Sequence, residues 1–283
     1  MSNILITGSG GQLGKALQVQ YPTANLTTRA TLDIANRQAV DNFNWEGIDI
    51  IINAAAYTDV DRAETTDGRL AAWAINANAT ANLVRACRAH DITLVHLSSD
   101  YVFDGTASLH TETEPFSPLG VYGQTKAAGD IAVCTLEKYY ILRTTWVVGD
   151  GKNFIRTMLS LAEKNISPTV VSDQIGRLTF TGELARIIDH LISKKAPFGT
   201  YNATNDGPLV SWADIARRTF TLSHHQNIAV SDISTEEYFK DKESIAPRPL
   251  NSNLSLDKLH ATGFKSKDWQ EDLQSYIIKE TKI

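Results

Sequence analysis

Tyr122-Gly123-Gln124-Thr125-Lys126 sets a phenol and an ammonium four residues apart, a spacing that puts both on one face of a helix. A tyrosine ordinarily titrates at about 10 and gives up its proton poorly at neutral pH. A fixed cation beside it favours the phenolate and makes it a usable acid or base. Ser99 follows the apolar run Leu94-Val95-His96-Leu97, so it stands at the end of an expected strand, where open α/β sheets bind ligands. Its hydroxyl can donate a hydrogen bond to a carbonyl oxygen. By itself, Tyr-x-x-x-Lys describes many amphipathic helix faces. Its meaning depends on what accompanies it.

A glycine loop accompanies it. Gly8-x-x-Gly11-Gln12-Leu13-Gly14 lies between Ile4-Leu5-Ile6-Thr7 and a segment with Leu13, Ala16 and Leu17 at helical spacing. Gly8 permits a tight turn, Gly11 lets backbone N–H groups approach a pyrophosphate, and Gly14 lets helix and strand pack closely. The spacing points to the short-chain dehydrogenase branch of Rossmann enzymes. Thr28-Arg29, at the end of the expected second strand, offers no acid for a ribose 2′-hydroxyl. Arg29 either meets a 2′-phosphate, which favours NADPH over NADH, or is a solvated surface arginine. With Asn53-Ala54-Ala55-Ala56 and Ser98-Ser99, the set implies hydride chemistry on a carbonyl or an alcohol.

The elements that must position these groups alternate. Strands are expected at 4–7, 26–28, 48–53, 94–97 and 140–142, and helices at 12–20, 70–88 and 120–136. Ile50-Ile51-Ile52 is β-branched and suited to burial on both faces of a parallel sheet. This predicts an α/β, Rossmann-type doubly wound parallel sheet over residues 1–150. Residues 151–283 form a smaller mixed substrate lobe, with a late segment free to return to the sheet. Helices are expected there at 154–164, 181–194 and 212–222, the last opened by Ser211 and Asp214. Short strands are expected at 169–171 and 200–202, and Ala246-Pro247-Arg248-Pro249 must be extended.

The composition excludes other classes. The chain has 283 residues, 42% hydrophobic and 21% charged, enough to bury a core without staples. A net charge of −5 and the lack of a Lys/Arg run argue against nucleic acid or an anionic membrane. Cys87 and Cys134 fit no metal or redox spacing and read as cytoplasmic thiols, and no signal peptide is visible.

Several runs together resemble the dTDP-4-dehydrorhamnose reductases, extended short-chain dehydrogenases. They are the glycine loop, Asn53-Ala54-Ala55-Ala56-Tyr57-Thr58-x-Val60-Asp61, Ser99-Asp100-Tyr101-Val102-Phe103-Asp104-Gly105, Tyr122-Gly123-x-Thr125-Lys126, Arg143-Thr144-x-Trp146-Val147, Asp173-Gln174-x-Gly176 and Arg248-Pro249-x-Asn251-Ser252. The resemblance covers nearly the whole chain. It implies reduction of a 4-keto sugar nucleotide by NADPH or NADH to complete dTDP-L-rhamnose, a precursor of cell-surface polysaccharide. It implies Ser99, Tyr122 and Lys126 as catalytic residues. Gly8, Gly11, Gln12, Leu13, Gly14, Arg29, Asp33, Ile34, Ala54, Ala55, Ala56, Tyr57, Tyr122 and Lys126 are then the cofactor residues, and Ser99, Asp100, Tyr101, Tyr122, Trp146 and Arg248 face the dTDP-linked 4-keto-6-deoxy sugar. Ser99 departs from the threonine frequent in the family, but either hydroxyl can donate. Some members dimerise through a metal held by a glutamate just after the third glycine. Lys15 and Ala16 stand there here, so no metal is expected, and a monomer or weak homodimer is.

Other activities of related enzymes set the alternatives. A 4,6-dehydratase needs an Asp-Glu pair after its hydroxyl residue, whereas Asp100 is followed by Tyr101. An epimerase, another 4-ketoreductase, or a non-catalytic NADP-binding regulatory subunit like that of methionine adenosyltransferase remain. Trp146 bears on the last, because an aromatic there either covers the sugar ring or packs in the core. Asp100 either holds substrate hydroxyls or turns the chain. Arg177 and Arg248 either meet the diphosphate or are structural. His96 reads as a satisfied core residue, and His224-His225 as a solvated pair.

Overall fold

A computed structural model describes residues 2–281. The first half winds as β1 (Ile4–Thr7), α1 (Gln12–Gln20), β2 (Asn25–Leu26), α2 (Arg37–Asp41), β3 (Ile50–Asn53), α3 (Thr66–Ala72), α4 (Ala79–His90), β4 (Thr93–Ser99), α5 (Val121–Val133) and β5 (Tyr139–Thr144). There follow β6 (Val147–Val148), α6 (Phe154–Glu163), β7 (Thr169–Val171), β8 (Ile175–Gly176), β9 (Thr179–Phe180), α7 (Thr181–Ser193) and β10 (Gly199–Asn202). The chain ends with β11 (Val210–Ser211), α8 (Trp212–Leu222), β12 (Ser231–Ile233), α9 (Thr235–Phe239), α10 (Asp257–His260) and α11 (Trp269–Thr281).

The central sheet has six parallel strands in the order β10-β5-β4-β3-β1-β2. From β1 the chain goes outward to β2 and then crosses to β3 on the other side. The switch point therefore falls between β1 and β3, where ligands bind in such folds. Thr7 and Asn53 lie opposite each other there, and the Thr7 hydroxyl donates to Asn53 Oδ1 at 2.7 Å. Two cores cover the sheet. Ile50 and Ile52 pack with α1 and α7 residues on one face, and Ile51 with α4 residues on the other. The Ile50–Ile52 run is therefore buried on both faces, the reason for its β-branched composition.

Several elements depart from expectation, among them α5, expected over 120–136, which ends at Val133. The helix expected over 70–88 is two α-helices joined by a wider, π-type turn at Trp73–Asn78. Asn76 explains the break, because its side chain leaves the helix to bond the backbone N–H and carbonyl of Tyr57 at 2.9 and 3.1 Å and Thr125 Oγ1 at 3.1 Å. The second strand shortens to Asn25–Leu26, although Thr27 N–H still reaches the Ile6 carbonyl at 2.8 Å. The third strand begins at Ile50, two residues later than expected.

β10 is the late segment that joins the sheet, parallel to β5, and α7 packs beneath it in the first core. The second lobe gathers α6, α8 and α11 around Val148, Ile155, Phe180, Ile215 and Trp269. Its strands form three two-stranded pairs, β8 with β11, β7 with β12 and β6 with β9. Ser211 and Asp214 form the capping box that opens α8.

Candidate active site

The glycine loop is built as its residue types require. Gly8 has φ +68°, and a Cβ there would stand 2.6 Å from the Ala55 backbone. A Cβ on Gly14 would meet the Gly8 carbonyl at 2.4 Å. Gly11 begins α1 with no side-chain cap, and the first turn carries no acid. The first amides of α1 are thus left to an anion, at the positive end of the helix.

A cavity of about 470 Å³ opens beside this loop. Gly8, Gly11, Arg29, Asp33, Ile34, Ala54, Ala55 and Ala56 line it. So do Thr7, Gly10, Thr28, Leu32, Ala35, Ala71, Ala74 and Ile75, none of which was foreseen. Their signal is weak, because small apolar residues on a helix facing a ligand look like residues facing a core. An uncapped helix end, a glycine cradle and a long, largely apolar trough fit a dinucleotide. Arg29 stands at the rim with its side chain 85% exposed, and its nearest ion-pair partner is Asp33 at 3.7 Å.

Several expected cofactor residues do not line this cavity with their side chains. Leu13 points into the core beneath the sheet. Gln12 turns away, its Oε1 accepting the Gly149 N–H at 2.9 Å. Gly14 serves packing. Tyr57 packs with Tyr122 and Val121, so it joins the cavity wall to the catalytic helix.

Ser99 ends β4 and caps the short turn at Asp100–Val102, its Oγ accepting the Tyr101 N–H at 3.2 Å. Tyr122 is the second residue of α5, and its ring meets Tyr101 edge to face at 5.4 Å. The helix start is held by Glu64, whose Oε1 accepts the Val121 N–H at 2.7 Å. Lys126 is only 2% exposed, and its ammonium donates to the Leu97 carbonyl. Burial pulls the Lys126 ammonium down to about 8, opposed by Asp130 one turn further along α5. Burial pushes the Tyr122 phenol up to about 12, opposed by the Ser99 hydroxyl beside it. The expected lowering of Tyr122 by Lys126 is therefore corrected. In this arrangement the phenol is held protonated, as a proton donor requires.

The residues expected to face substrate divide. Tyr101 stands with its ring against Tyr122. Asp100 is 3% exposed, and both its oxygens are occupied by hydroxyls of Ser99, Thr145 and Ser252. It does not present a free carboxylate to a sugar. Arg248 is likewise engaged, paired with Asp61 at 2.5 Å and lying over the Phe239 ring. Arg177 is structural, its guanidinium donating to the Leu254 carbonyl at 2.6 Å and pairing with Asp206. Trp146 has φ +47° and is half-buried, stacked on Trp212 with 3.9 Å between ring centroids. His96 is buried against Asn53 Nδ2 at 3.2 Å, and burial holds it well below the ordinary histidine range. It is neutral and not the base. Lys15, just after the third glycine, pairs with Asp150 at 2.9 Å.

Beyond the cavity lining, sequence reasoning gave no role near the site to Glu64, Asn76 and Thr145, nor to Ser252, which it quoted only within a family-like run. Each acts through a partner at least 19 positions away, and no local pattern reveals such a bond.

Comparison with known proteins agrees with this geometry. The family described as RmlD substrate binding domain matches residues 1–282. A dTDP-4-dehydrorhamnose reductase of Aggregatibacter actinomycetemcomitans is 38% identical, over 97% of this chain and 98% of its own length. The crystal structure of a dTDP-4-dehydrorhamnose reductase from Clostridium acetobutylicum superposes with a TM-score of 0.91 at 37% identity, covering 99% of this chain and all of that one. That of the Bacillus anthracis dTDP-4-dehydrorhamnose reductase in complex with NADP gives 0.89 at 34% identity, with 99% and 100% coverage.

Proposed function

Because the chain belongs to the RmlD substrate binding domain family, we propose that it reduces the C4 ketone of dTDP-4-dehydro-L-rhamnose to dTDP-L-rhamnose with NADPH or NADH. The observation that carries this reading is the Tyr122 phenol at the start of α5 and the Ser99 hydroxyl at the end of β4, next to the cavity that the glycine loop lines.

Each group has a defined task. The amides of the first turn of α1 hold the pyrophosphate, and the trough from Leu32 to Ile75 takes the adenosine half. Arg29, at the rim of that cavity, is the residue to pair with a 2′-phosphate. A bound dihydronicotinamide supplies the hydride for C4. Tyr122 gives its proton to the carbonyl oxygen as C4 becomes tetrahedral, and Ser99, its own proton directed to Asp100, keeps its hydroxyl oxygen beside the phenol and so holds the phenol in place. Lys126 holds the nicotinamide ribose and, while charged, stabilises the phenolate left behind. Trp146, at the exit of β5, covers the deoxy sugar with the surface that Trp212 leaves open. The chain works as a monomer or weak homodimer in the cytoplasm, and no helix among the described residues is long and apolar enough to cross a membrane.

The test is oxidation of NADPH and NADH by the purified chain with the dTDP-4-keto-6-deoxy sugar generated by the preceding enzymes. Sugar-dependent oxidation supports the reading. Tight NADPH binding without turnover would leave the regulatory-subunit alternative in its place.

A further inference from the structure

Three parts of the fold meet on the carboxylate of Asp100. Its Oδ1 accepts the Ser99 hydroxyl at 2.9 Å. Its Oδ2 accepts Thr145 Oγ1 at 3.0 Å and Ser252 Oγ at 2.5 Å. Asp100 and Ser252 are each 3% exposed. A carboxylate this deeply buried depends on its donors, and here they are these three hydroxyls and its own backbone amide.

The two distant donors belong to the substrate side of the molecule. Thr145 leads directly into Trp146, the residue in the left-handed conformation. Ser252 lies in a segment laced to β8, where Ile175 N–H meets the Leu250 carbonyl and Ser252 N–H the Ile175 carbonyl, both at 2.8 Å. A Cβ on Gly176 would stand 3.0 Å from the Trp146 indole and 3.2 Å from Ser252 Cβ, so these residues form one packed wall. Ser99 has a single proton and would otherwise rotate freely. Asp100 Oδ1 takes that proton's direction, and the Tyr101 N–H fixes one lone pair.

We propose that Ser252 and Thr145 are positioning residues for the reduction: acting through Asp100, they fix the Ser99 hydroxyl and tie its orientation to the seating of the second lobe. This rests on the reductase reading above, so turnover by the unmodified chain is measured first, and its absence would sink that reading rather than single out this one. With wild-type turnover in hand, Ser252→Ala, Ser252→Thr and Thr145→Val are compared in the full chain for kcat, for KM of the dTDP-4-keto-6-deoxy sugar, for NADPH affinity and for melting temperature. Ser252→Ala should lower kcat roughly ten- to thirtyfold, the size of one hydrogen bond to a charged group, with KM and NADPH affinity within about twofold. Ser252→Thr, which keeps the hydroxyl, should recover most of kcat. Thr145→Val keeps the side-chain shape and should move kcat the same way, and it decides the matter alone if Ser252→Ala does not fold. An unchanged kcat in the folded variant would overturn the proposal. So would a raised KM at constant kcat, which would make Ser252 a direct sugar contact.

Discussion

At the scale of single residues, the proposed chemistry rests on the half-buried Tyr122 phenol and the buried Lys126 ammonium, which burial shifts in opposite directions. Tyr122 stays protonated because its burial outweighs the Ser99 hydroxyl beside it. Tyr122→Phe should therefore cut turnover by roughly 10²-fold or more while NADPH affinity holds, since ring and helix remain. Kinetics and NADPH titration of one preparation check this, and near-normal turnover would remove Tyr122 from the mechanism. Lys126 is lowered to about 8, so its charge is present below that pH and lost above it. The kcat/KM for NADPH should accordingly hold steady below about pH 8 and decline above it. Lys126→Met should abolish that decline and weaken cofactor binding, and a pH profile unchanged by the substitution would contradict the assignment. Ser99, Tyr122 and Lys126 were legible in the sequence as candidates because type and spacing are local. The occupation of Asp100 and Arg248 was not, because their partners lie 152 and 187 residues away in the chain.

At the scale of elements, the glycine loop and the start of α5 decide whether the site exists. A Cβ at Gly8 meets the Ala55 backbone, which cannot swing aside as a side chain can, and φ is positive besides. Gly8→Ala should cost about 1–3 kcal/mol of stability and at least about tenfold in NADPH affinity. Melting and NADPH titration would show it, and normal values for both would deny the cradle. Glu64 holds the first turn of α5, one residue before Tyr122. Glu64→Ala should cost about 1–2 kcal/mol and lower kcat, with Glu64→Gln recovering much of both because an acceptor oxygen remains. Equal kcat in wild type and Glu64→Ala would show that fraying of this turn does not reach the phenol. The bounds of α8 were readable from periodicity and its capping box, whereas α5, expected over 120–136, spans Val121–Val133 and has no side-chain cap. The π-type turn was not, since Asn76 breaks the helix for partners on two other elements.

At the scale of the whole molecule, strand–helix alternation made the parallel sheet legible, and with it the switch point where Thr7 and Asn53 meet. The second lobe was less so. Its strand at 169–171 was legible, but the partner strand Ser231–Ile233 and the two-residue strands, paired across wide gaps, leave too little pattern to read. Both halves are needed for the activity, because one holds the cofactor trough and the other hangs its wall from Asp100 beside Ser99. The central claim is hydride delivery to C4 of the sugar nucleotide, with the proton coming from Tyr122. Its most direct measurement is turnover with NADPH deuterated at the transferring position, followed by mass and NMR analysis of the sugar product. The account predicts one deuterium, carried at C4 of a dTDP-linked 6-deoxyhexose, and roughly 10²-fold less of that same labelled product with Tyr122→Phe during the same interval. Product without deuterium at C4, or bound NADPH that stays unconsumed in the presence of the keto sugar, would contradict it.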